Sequence, residues 1–474
     1  GGYNFTSLAS YFGRVDYNYD ERYMIQATLR RDGSSRFGPD HKWATFPAVS
    51  LGWNILNEPY LTRPGWFDSF KLRFSWGRNG NENIGNFAYT SLMDGGQNYY
   101  FGGGYDVASE SKDGIMQYGT SPARIPNPNI KWEESEQIDL GFDARFFNSA
   151  LSFSFDYFKK KTNGMLMNLP IPSYVGQSAP IGNVGDMENW GLEFELGWKD
   201  NIKDFNYSIL ANASYLKNKL IKLGNASGEA TYESGGASGV GSFVKGQNGE
   251  VWPYFYGYKT NGIFQNQAEI DAYVNEDGKK LQPTAQPGDV RFVDFNQDGT
   301  IDDNDKTKIG KGMPDWTYGL TLSADWRGID LNLFFQGTLG NDIFDFSQRG
   351  DIPAMNRPSW ILDRWHGEGT SNKIPRMTKS NPNGNWRSSD IYIKSGNYLR
   401  LKTAQLGYTL PRHWLSKASI QNLRVYVSAE NLFTFTGYDG FDPEVASGGY
   451  TTIGIDRGVY PQARTISIGA NLTF

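Results

Sequence analysis

The segment of this sequence best suited to chemistry is the acidic stretch at residues 294–305, which reads DFNQDGTIDDND. Oxygen-bearing side chains stand at positions 1, 3, 5 and 12 of this stretch, at Asp294, Asn296, Asp298 and Asp305. Calcium-binding loops use the same spacing, because alternate side chains of a tightly turned loop converge on one hard cation. The pattern predicts a bound Ca²⁺ with a structural role, and Mg²⁺ is the other hard cation that the spacing allows.

Two further residues complete the predicted site. Thr300 would contribute its backbone carbonyl, and Asp302 would contact the ion directly or through a water molecule. Gly299 occupies the sharp turn, while position 12 is Asp where calcium loops usually carry Glu. The flanking residues lack helical patterns, so the sequence predicts an isolated loop and not an EF-hand. The alternative is a loop of acidic turns that holds no metal.

Signals for catalysis are weak along the whole chain. The three histidines are scattered at His41, His366 and His413, and neither H-E-x-x-H nor G-x-S-x-G occurs. Cysteine is absent from the sequence, which excludes a thiolate nucleophile, a thiolate metal site and a disulfide framework. The net charge of −5 is spread along the chain, which gives no sign of a nucleic-acid partner. We therefore expect a protein that is not an enzyme.

The elements that carry this loop are predicted to be long strands. From Arg464 to Phe474, apolar residues alternate with polar or small ones. A tilted strand that crosses a bilayer needs about 9 to 11 residues, whereas a strand of a soluble protein usually has about five or six. Similar alternation recurs from residue 9 onwards, and the polar faces include Arg73, Asp143 and Glu193. A water-filled lumen accepts such side chains, whereas the dry core of a sandwich does not.

Composition and connection lengths point to the same fold class. Aromatic residues make up 15% of the chain while its mean hydropathy is only −0.55, and we find no apolar run long enough for a membrane helix, about 18 residues. We count about thirteen strands of alternating character. Short links fall near residues 20, 60, 148, 201, 327 and 415, and long ones near 36, 105, 175, 265, 365 and 450. Short turns at one end and long loops at the other are typical of outer-membrane β-barrels.

The alternation also predicts which side chains face lipid. Phe153, Phe155, Phe194 and Leu196 should face lipid, and the lumen should receive Ser154, Asp156, Glu193 and Glu195. Pro47 implies a bulge or an irregularity in its strand, because proline cannot donate to the ladder. The strand from Leu399 to Leu410 alternates imperfectly, and one short helix is expected near Gln267 to Val274.

Seven segments of the chain, in order, resemble the SusC/RagA-like TonB-dependent transporters. They are SYFGRVDY (10–17), LRRDGSSRFG (29–38), FPAVSLGW (46–53), YGYKTNGIF (256–264), GDVRFVDFNQDG (288–299), AENLF (429–433) and YPQAR (460–464). The resemblance implies a 22-stranded antiparallel outer-membrane barrel with an internal plug. Residues 1–474 would form its C-terminal part, with 218–312 as a long extracellular loop that contains 294–305. The plug, the first strands and any signal peptide are then expected to lie outside this sequence.

The same resemblance implies a function and partners. It implies active import of oligosaccharides or peptides across the outer membrane of a Gram-negative bacterium, with energy supplied through TonB. A SusD-like surface lipoprotein would be the partner, the barrel would be surrounded by outer-membrane lipid, and a dimer of the SusC–SusD pair is left open. The alternative is a secreted all-β binding module that is stabilised by calcium. The sequence names no residue that would contact the substrate.

Overall fold

The structure is a computed structural model that describes most of the chain. It covers residues 5–91, 93–101, 115–122, 124–168, 176–225, 228–229, 232–236, 240–348, 356–415, 420–445, 449 and 451–474. Within these ranges, thirteen long strands form one sheet in which each pairs antiparallel with the next, and the short strand Gly228–Glu229 pairs with the eighth of them. The predicted all-β fold and the predicted strand number are therefore confirmed.

The strands are long, as the alternation predicts. They are β1 (Leu8–Tyr19), β2 (Tyr23–Ser34), β3 (Trp43–Asn54), β4 (Phe67–Asn81), β5 (Glu133–Phe146), β6 (Leu151–Asn168), β7 (Ile181–Ile202), β8 (Phe205–Asn225), β9 (Trp316–Trp326), β10 (Ile329–Leu339), β11 (Tyr398–Thr409), β12 (Asn422–Thr436) and β13 (Thr465–Thr473). The shortest of them has 9 residues and the longest has 22. Each is long enough to cross a bilayer at a tilt of about 45°.

Because neighbouring strands are antiparallel, their connections fall alternately at two edges of the sheet. Odd-numbered strands lead into residues 20–22, 55–66, 147–150, 203–204, 327–328 and 410–421, at what we call the turn edge. Even-numbered strands lead into residues 35–42, 82–132, 169–180, 226–315, 340–397 and 437–464, at the loop edge. The predicted alternation is confirmed, although 35–42 is shorter than two of the links at the turn edge.

Two predictions about individual strands can be compared with the structure, and one of them is wrong. Pro47 lies opposite Leu29 in an uninterrupted register, so the predicted bulge is wrong. The sheet tolerates this proline because the ladder between β3 and β4 begins only at the next residue, Ala48. In β11 the register with both neighbours shifts beside Lys402, and this bulge explains the imperfect alternation of that strand.

The predicted short helix is present at Gln267–Ala272. The side chain of Asn266 caps its first turn by accepting a hydrogen bond of 3.1 Å from the backbone N–H of Glu269. The helix lies in the connection between β8 and β9. Among the described residues, no helix has the length and apolar character that crossing a membrane requires.

The two faces of the sheet differ sharply in polarity. On one face Phe155 packs against Phe142 and Phe194, with ring centroids 5.7 and 5.2 Å away. On the other face Ser154 donates a hydrogen bond of 2.9 Å to Asp143. The alternation predicted from the sequence therefore separates the side chains of β5, β6 and β7 onto opposite faces.

Ion pairs on the polar face reach across glycines. Arg73 on β4 binds Asp156 on β6 at 2.8 Å, although β5 lies between them. Gly141 of β5 stands opposite both residues, and a methyl group there would collide with the Asp156 carboxylate. Gly407 is framed by a similar ion pair farther along the sheet. These glycines are needed because their missing Cβ leaves room for the side chains that cross above them.

Two belts of aromatic residues bound the apolar face. Trp43 and Trp53 lie ten residues apart on β3, and Trp316 and Trp326 lie ten residues apart on β9. At a rise of about 3.3 Å per residue and a tilt of about 40°, ten residues span a height of about 25 Å. The lipid-facing band of an outer-membrane barrel has about that height and is flanked by aromatic residues on both sides. The belts therefore mark the two membrane interfaces.

We predict that Phe194→Arg destabilises the sheet by about 2–4 kcal/mol. Phe194 lies midway between Trp190 and Trp198 on β7, near the middle of the apolar band, where a guanidinium would have to leave water. The measurement is denaturant unfolding of the full-length protein in lipid vesicles. Glu193→Arg on the polar face is the matched control, and equal destabilisation by both substitutions would contradict the assigned lipid face.

Candidate functional site

Three long connections at the loop edge share one hydrophobic core. Residues 226–315, 340–397 and 437–464 contribute the buried side chains Val240, Phe243, Val244, Phe255, Ile309, Phe344, Phe346, Trp386, Tyr392 and Ile455. Phe344 stacks between Phe243 and Tyr392, with ring centroids 4.1 and 5.0 Å away. A small sheet joins Asp342–Asp345, Ile393–Ser395 and Ile455–Asp456. We call these three folded connections the loop assembly.

A buried polar network connects the first two members of the loop assembly. The fully buried carboxylate of Asp289 accepts hydrogen bonds from Arg376 Nε at 2.7 Å and from Asn385 Nδ2 at 2.9 Å. Gln282 donates to Asn383 at 2.7 Å, and its amide also pairs with the backbone of residues 290 and 292. Removal of one partner from a buried charge pair costs about 3–5 kcal/mol. This network therefore resists separation of the two connections.

Ion pairs connect the third member of the loop assembly, residues 437–464, to strand β11. Arg400 of β11 is only 3% exposed and binds Asp442 and Glu444 of residues 437–464, the latter at 2.8 Å. Lys402 binds the same Glu444 oxygen at 2.6 Å. A guanidinium buried to this extent requires acidic partners. The contact therefore holds residues 437–464 over the polar face of β11.

In residues 294–305, which we call the acidic loop, the structure brings the first three predicted ligands together. The carboxylate of Asp294 accepts backbone hydrogen bonds from Asp298 at 3.2 Å and Gly299 at 2.9 Å. The amide of Asn296 donates to Asp298 at 2.8 Å. Asp298 in turn accepts from the hydroxyl of Thr300 at 2.7 Å, and this bond together with the Asn296 amide lowers the pKa of Asp298. Gly299, at φ +84°, provides the left-handed turn that the pattern requires.

Asp305 closes the other end of the loop. Its side chain is completely buried and accepts hydrogen bonds from the backbone N–H groups of Phe295 at 2.7 Å, Asn296 at 3.3 Å and Asp302 at 2.8 Å. The side chain of Asp302 instead caps the short 3-10 helix Asp303–Asp305. Asp302 therefore lies at the rim, whereas Asp305 connects the beginning of the loop to its end.

The donor set suits a hard cation in its chemistry. Asp294, Asp298 and Asp305 supply carboxylate oxygens and Asn296 supplies an amide oxygen, which are the ligand types that Ca²⁺ takes. Both carboxylate oxygens of Asp294, together with Asp298 Oδ2 and Asp305 Oδ2, accept one hydrogen bond each and keep a second lone pair. In the part of the chain that is described, no three Asp, Glu, His or Cys side chains gather closely enough to form a metal centre. Hydrogen bonds among these residues and the backbone shape the loop.

The acidic loop contacts a pair of aromatic rings that pack against an arginine side chain. Arg387 lies over the rings of Tyr258 and Phe292, at 4.1 and 3.8 Å from the ring centroids. Tyr258 donates a hydrogen bond of 3.0 Å to Asp303 of the acidic loop. Burial raises the pKa of Tyr258 to about 12 and lowers the pKa of Arg387. Since the Tyr258 backbone N–H donates to the carbonyl of Ser388, the acidic loop is part of the loop assembly.

Sequence analysis missed most of these contacts. No local sequence pattern marks Asp289, Arg376, Arg400 or Asp442, because the partner of each lies more than forty residues away in the chain. The one available signal was the position of Asp289, which falls within the resembling segment 288–299, as does the first half of the acidic loop. By contrast, the aromatic belts were present in the sequence as tryptophans at a spacing of ten residues.

A sheet with a polar face, two aromatic belts and loops at one edge defines the wall of an outer-membrane β-barrel. Residues 1–432 match the family described as TonB dependent receptor-like, beta-barrel. The chain belongs to this family. The predicted resemblance to SusC/RagA-like transporters and the predicted location in the outer membrane of a Gram-negative bacterium are confirmed.

Individual relatives agree with this assignment. The chain is 34% identical over 486 residues to TonB-dependent receptor P3 of Formosa agariphila, covering 99% of this chain and 46% of that protein. It is 31% identical to TonB-dependent receptor SusC of Bacteroides thetaiotaomicron, covering 99% of this chain and 44% of that protein. A solved structure of the RagAB peptide transporter has a TM-score of 0.79 at 26% identity and covers 99% of this chain and 48% of that one. The chain thus spans about half the length of these relatives, which are named as receptors and a transporter.

We predict that Asp305→Asn opens the acidic loop. An amide would place its NH₂ group against a backbone N–H, and a buried donor or acceptor left unpaired costs about 1–3 kcal/mol. With chelator present, limited proteolysis of the full-length protein should show cleavage within 294–305 faster by a factor of about five or more. Asp277→Asn, at an exposed position outside the loop, is the control; the role assigned to Asp305 is wrong if both variants resist protease like the parent protein.

Proposed function

We propose that this chain is part of an active importer of oligosaccharides or peptides across the outer membrane, energised through TonB. The observation that carries this proposal is the loop assembly, in which three long connections fold as one body at the loop edge. Capture of a large solute is favoured by a surface that is already ordered, since less conformational entropy is lost on binding. Family membership and the names SusC and RagAB peptide transporter support the same assignment.

The partner proposed for the loop edge is a SusD-like surface lipoprotein. It would close over the external face and contact the connections near residues 105, 265, 365 and 450, of which 102–114, 446–448 and 450 lie outside the described residues. The energy must come from the inner membrane, and TonB is the link that the family name supplies. The secreted binding module has no observation in its favour, because a soluble protein rarely exposes a continuous apolar face of this size.

The acidic loop is proposed to bind Ca²⁺ in order to stiffen the loop assembly. Asp294, Asn296, Asp298, the Thr300 carbonyl and Asp305 would hold the ion, and Asp302 would assist through a water molecule. The support for this proposal is the spacing of the donors and the way that hydrogen bonds already draw Asp294, Asn296 and Asp298 together. Bound Ca²⁺ would add electrostatic attraction to the hydrogen bonds that shape this loop.

The transport proposal predicts a defined phenotype in the organism that encodes this protein. Deletion of TonB, or of the surface lipoprotein encoded with the transporter, should abolish uptake of the cognate glycan or peptide. The barrel should remain in the outer-membrane fraction and should migrate anomalously in gels unless boiled. Radiolabelled glycan and peptide pools, offered separately, identify the substrate class. Undiminished uptake without TonB would mean a passive channel, and the proposal would be wrong.

The calcium proposal predicts a change in protease resistance on chelation. Ca²⁺ should protect residues 294–305 of the full-length protein, and chelator should restore cleavage. Asp298→Asn, which weakens an exposed ligand, should raise the Ca²⁺ concentration needed for protection by about tenfold or more, whereas Asp277→Asn should leave it unchanged. A parallel titration with Mg²⁺ distinguishes the two hard cations. Equal cleavage rates with and without Ca²⁺ in the parent protein would point to the metal-free loop.

A further inference from the structure

The apolar face of five neighbouring strands becomes charged within two rows at the loop edge. Reading from β4 to β8, one row is wholly apolar or aromatic and consists of Phe74, Leu140, Tyr157, Leu192 and Tyr215. The next row towards the loop edge consists of Trp76, Ile138, Lys159, Trp190 and Lys217. The third row consists of Arg78, Glu136, Lys161, Glu188 and Lys219. Five cations and two carboxylates therefore occupy the border of the lipid-facing surface.

Four of these cations form a frame on strands β6 and β8. Lys159 and Lys217 flank Trp190 in one row, and Lys161 and Lys219 flank Glu188 in the next. Because strands lie about 4.8 Å apart, the lysines of one row are about 10 Å apart at the backbone. The two rows are separated by about 7 Å along each strand. We call Lys159, Lys161, Lys217 and Lys219 the lysine frame.

The amine of Lys159 points away from the bilayer centre, because Lys159 Nζ lies 2.9 Å from Glu188, one row nearer to the loop edge. Long cationic side chains at a membrane boundary extend towards the headgroups in this way. Lys217 Nζ lies 2.6 Å from Asp315, whose backbone pairs with Leu216, and 5.4 Å from the centroid of the Tyr215 ring. Lys161 and Lys219 are exposed, and the side chains of Lys159 and Lys217 keep about a third of their surface accessible, 36% and 37%. The frame is therefore open to a ligand that approaches from the lipid side.

Internal ion pairs do not neutralise this surface. Glu188 is the one carboxylate within the lysine frame and stands between two of its lysines. Asp315 is shared, because it also binds Lys311. The local charge therefore remains positive although the whole chain carries a net charge of −5. This excess lies directly above Trp190, where lipid headgroups meet the apolar band.

We propose that the lysine frame binds the phosphate groups of an outer-leaflet lipid whose acyl chains lie on the apolar face beside Leu192 and Phe194. The loop edge faces the outside of the cell, so the adjoining leaflet is the outer one. Clusters of Lys at the headgroup level attract anionic lipid by charge complementarity. Trp190, between Lys159 and Lys217, would pack against the glycerol or sugar backbone that joins the phosphate to its acyl chains.

The test is a lipid titration of the delipidated full-length protein in detergent, followed by native mass spectrometry. The probes are phosphorylated lipid A and the same lipid after removal of its phosphates. The double variant K159Q/K217Q should bind phosphorylated lipid A about tenfold or more weakly than the parent protein does. The control K71Q/K160Q removes two lysines from the polar face and should bind as the parent does. Glu188→Gln removes the central carboxylate and should tighten binding severalfold.

Several results would overturn the proposal. Unchanged affinity in K159Q/K217Q, or equal binding of both lipid A forms by the parent protein, would mean that apolar contacts alone hold the lipid. Displacement of the lipid by inorganic phosphate would mean a site for a free anion and not for a lipid. Anomalous migration in gels confirms that each variant is folded. If K159Q/K217Q does not fold, K161Q/K219Q provides the same comparison with the outer row of the frame.

Discussion

The structure depends on one constraint, which is that every backbone N–H and C=O group inside a bilayer must be paired within the protein. Thirteen strands satisfy it in the simplest order, each pairing with the strand that follows it in the chain. The alternation of polar and apolar side chains follows, because a strand turns successive side chains to opposite faces. The same order places all connections at two edges. One edge can then be kept to short turns while the other carries long functional segments.

The polar face shows how a barrel wall accommodates charge. Arg73 reaches Asp156 over Gly141, so the ion pair spans three strands and needs no gap in the backbone ladder. On the opposite face the aromatic belts set the depth of the sheet in the membrane, since indole and phenol rings favour the headgroup level. The lysine frame lies at the belt nearer to the loop edge, at the depth where ammonium groups regain contact with water. The residue types on each face of the sheet therefore match the surroundings of that face.

The loop assembly lies in water and, unlike the sheet, buries its apolar side chains in a core of its own. Stacked rings of Phe243, Phe344 and Tyr392 join two of the connections, and Ile455 of the third connection packs into the same core. The ion pair between buried Asp289 and partly exposed Arg376 joins two of these connections. The acidic loop is attached to this body through Tyr258 and Asp303. A change in the order of the acidic loop can therefore reach the rest of the loop assembly.

The sequence by itself determined the features that depend on residues close together in the chain. Alternation identified the strands and their faces, and Asp294, Asn296, Asp298 and Gly299 identified the acidic loop, because side-chain direction and turn geometry are local properties of the backbone. Pro47 was misjudged because its effect depends on where β4 begins to pair, which no local pattern records. The partners of Arg400 and Asp289 were decided only by the tertiary structure. Their charges are buried by segments that lie 42 and 87 residues away, and only the folded path of the chain brings those segments together.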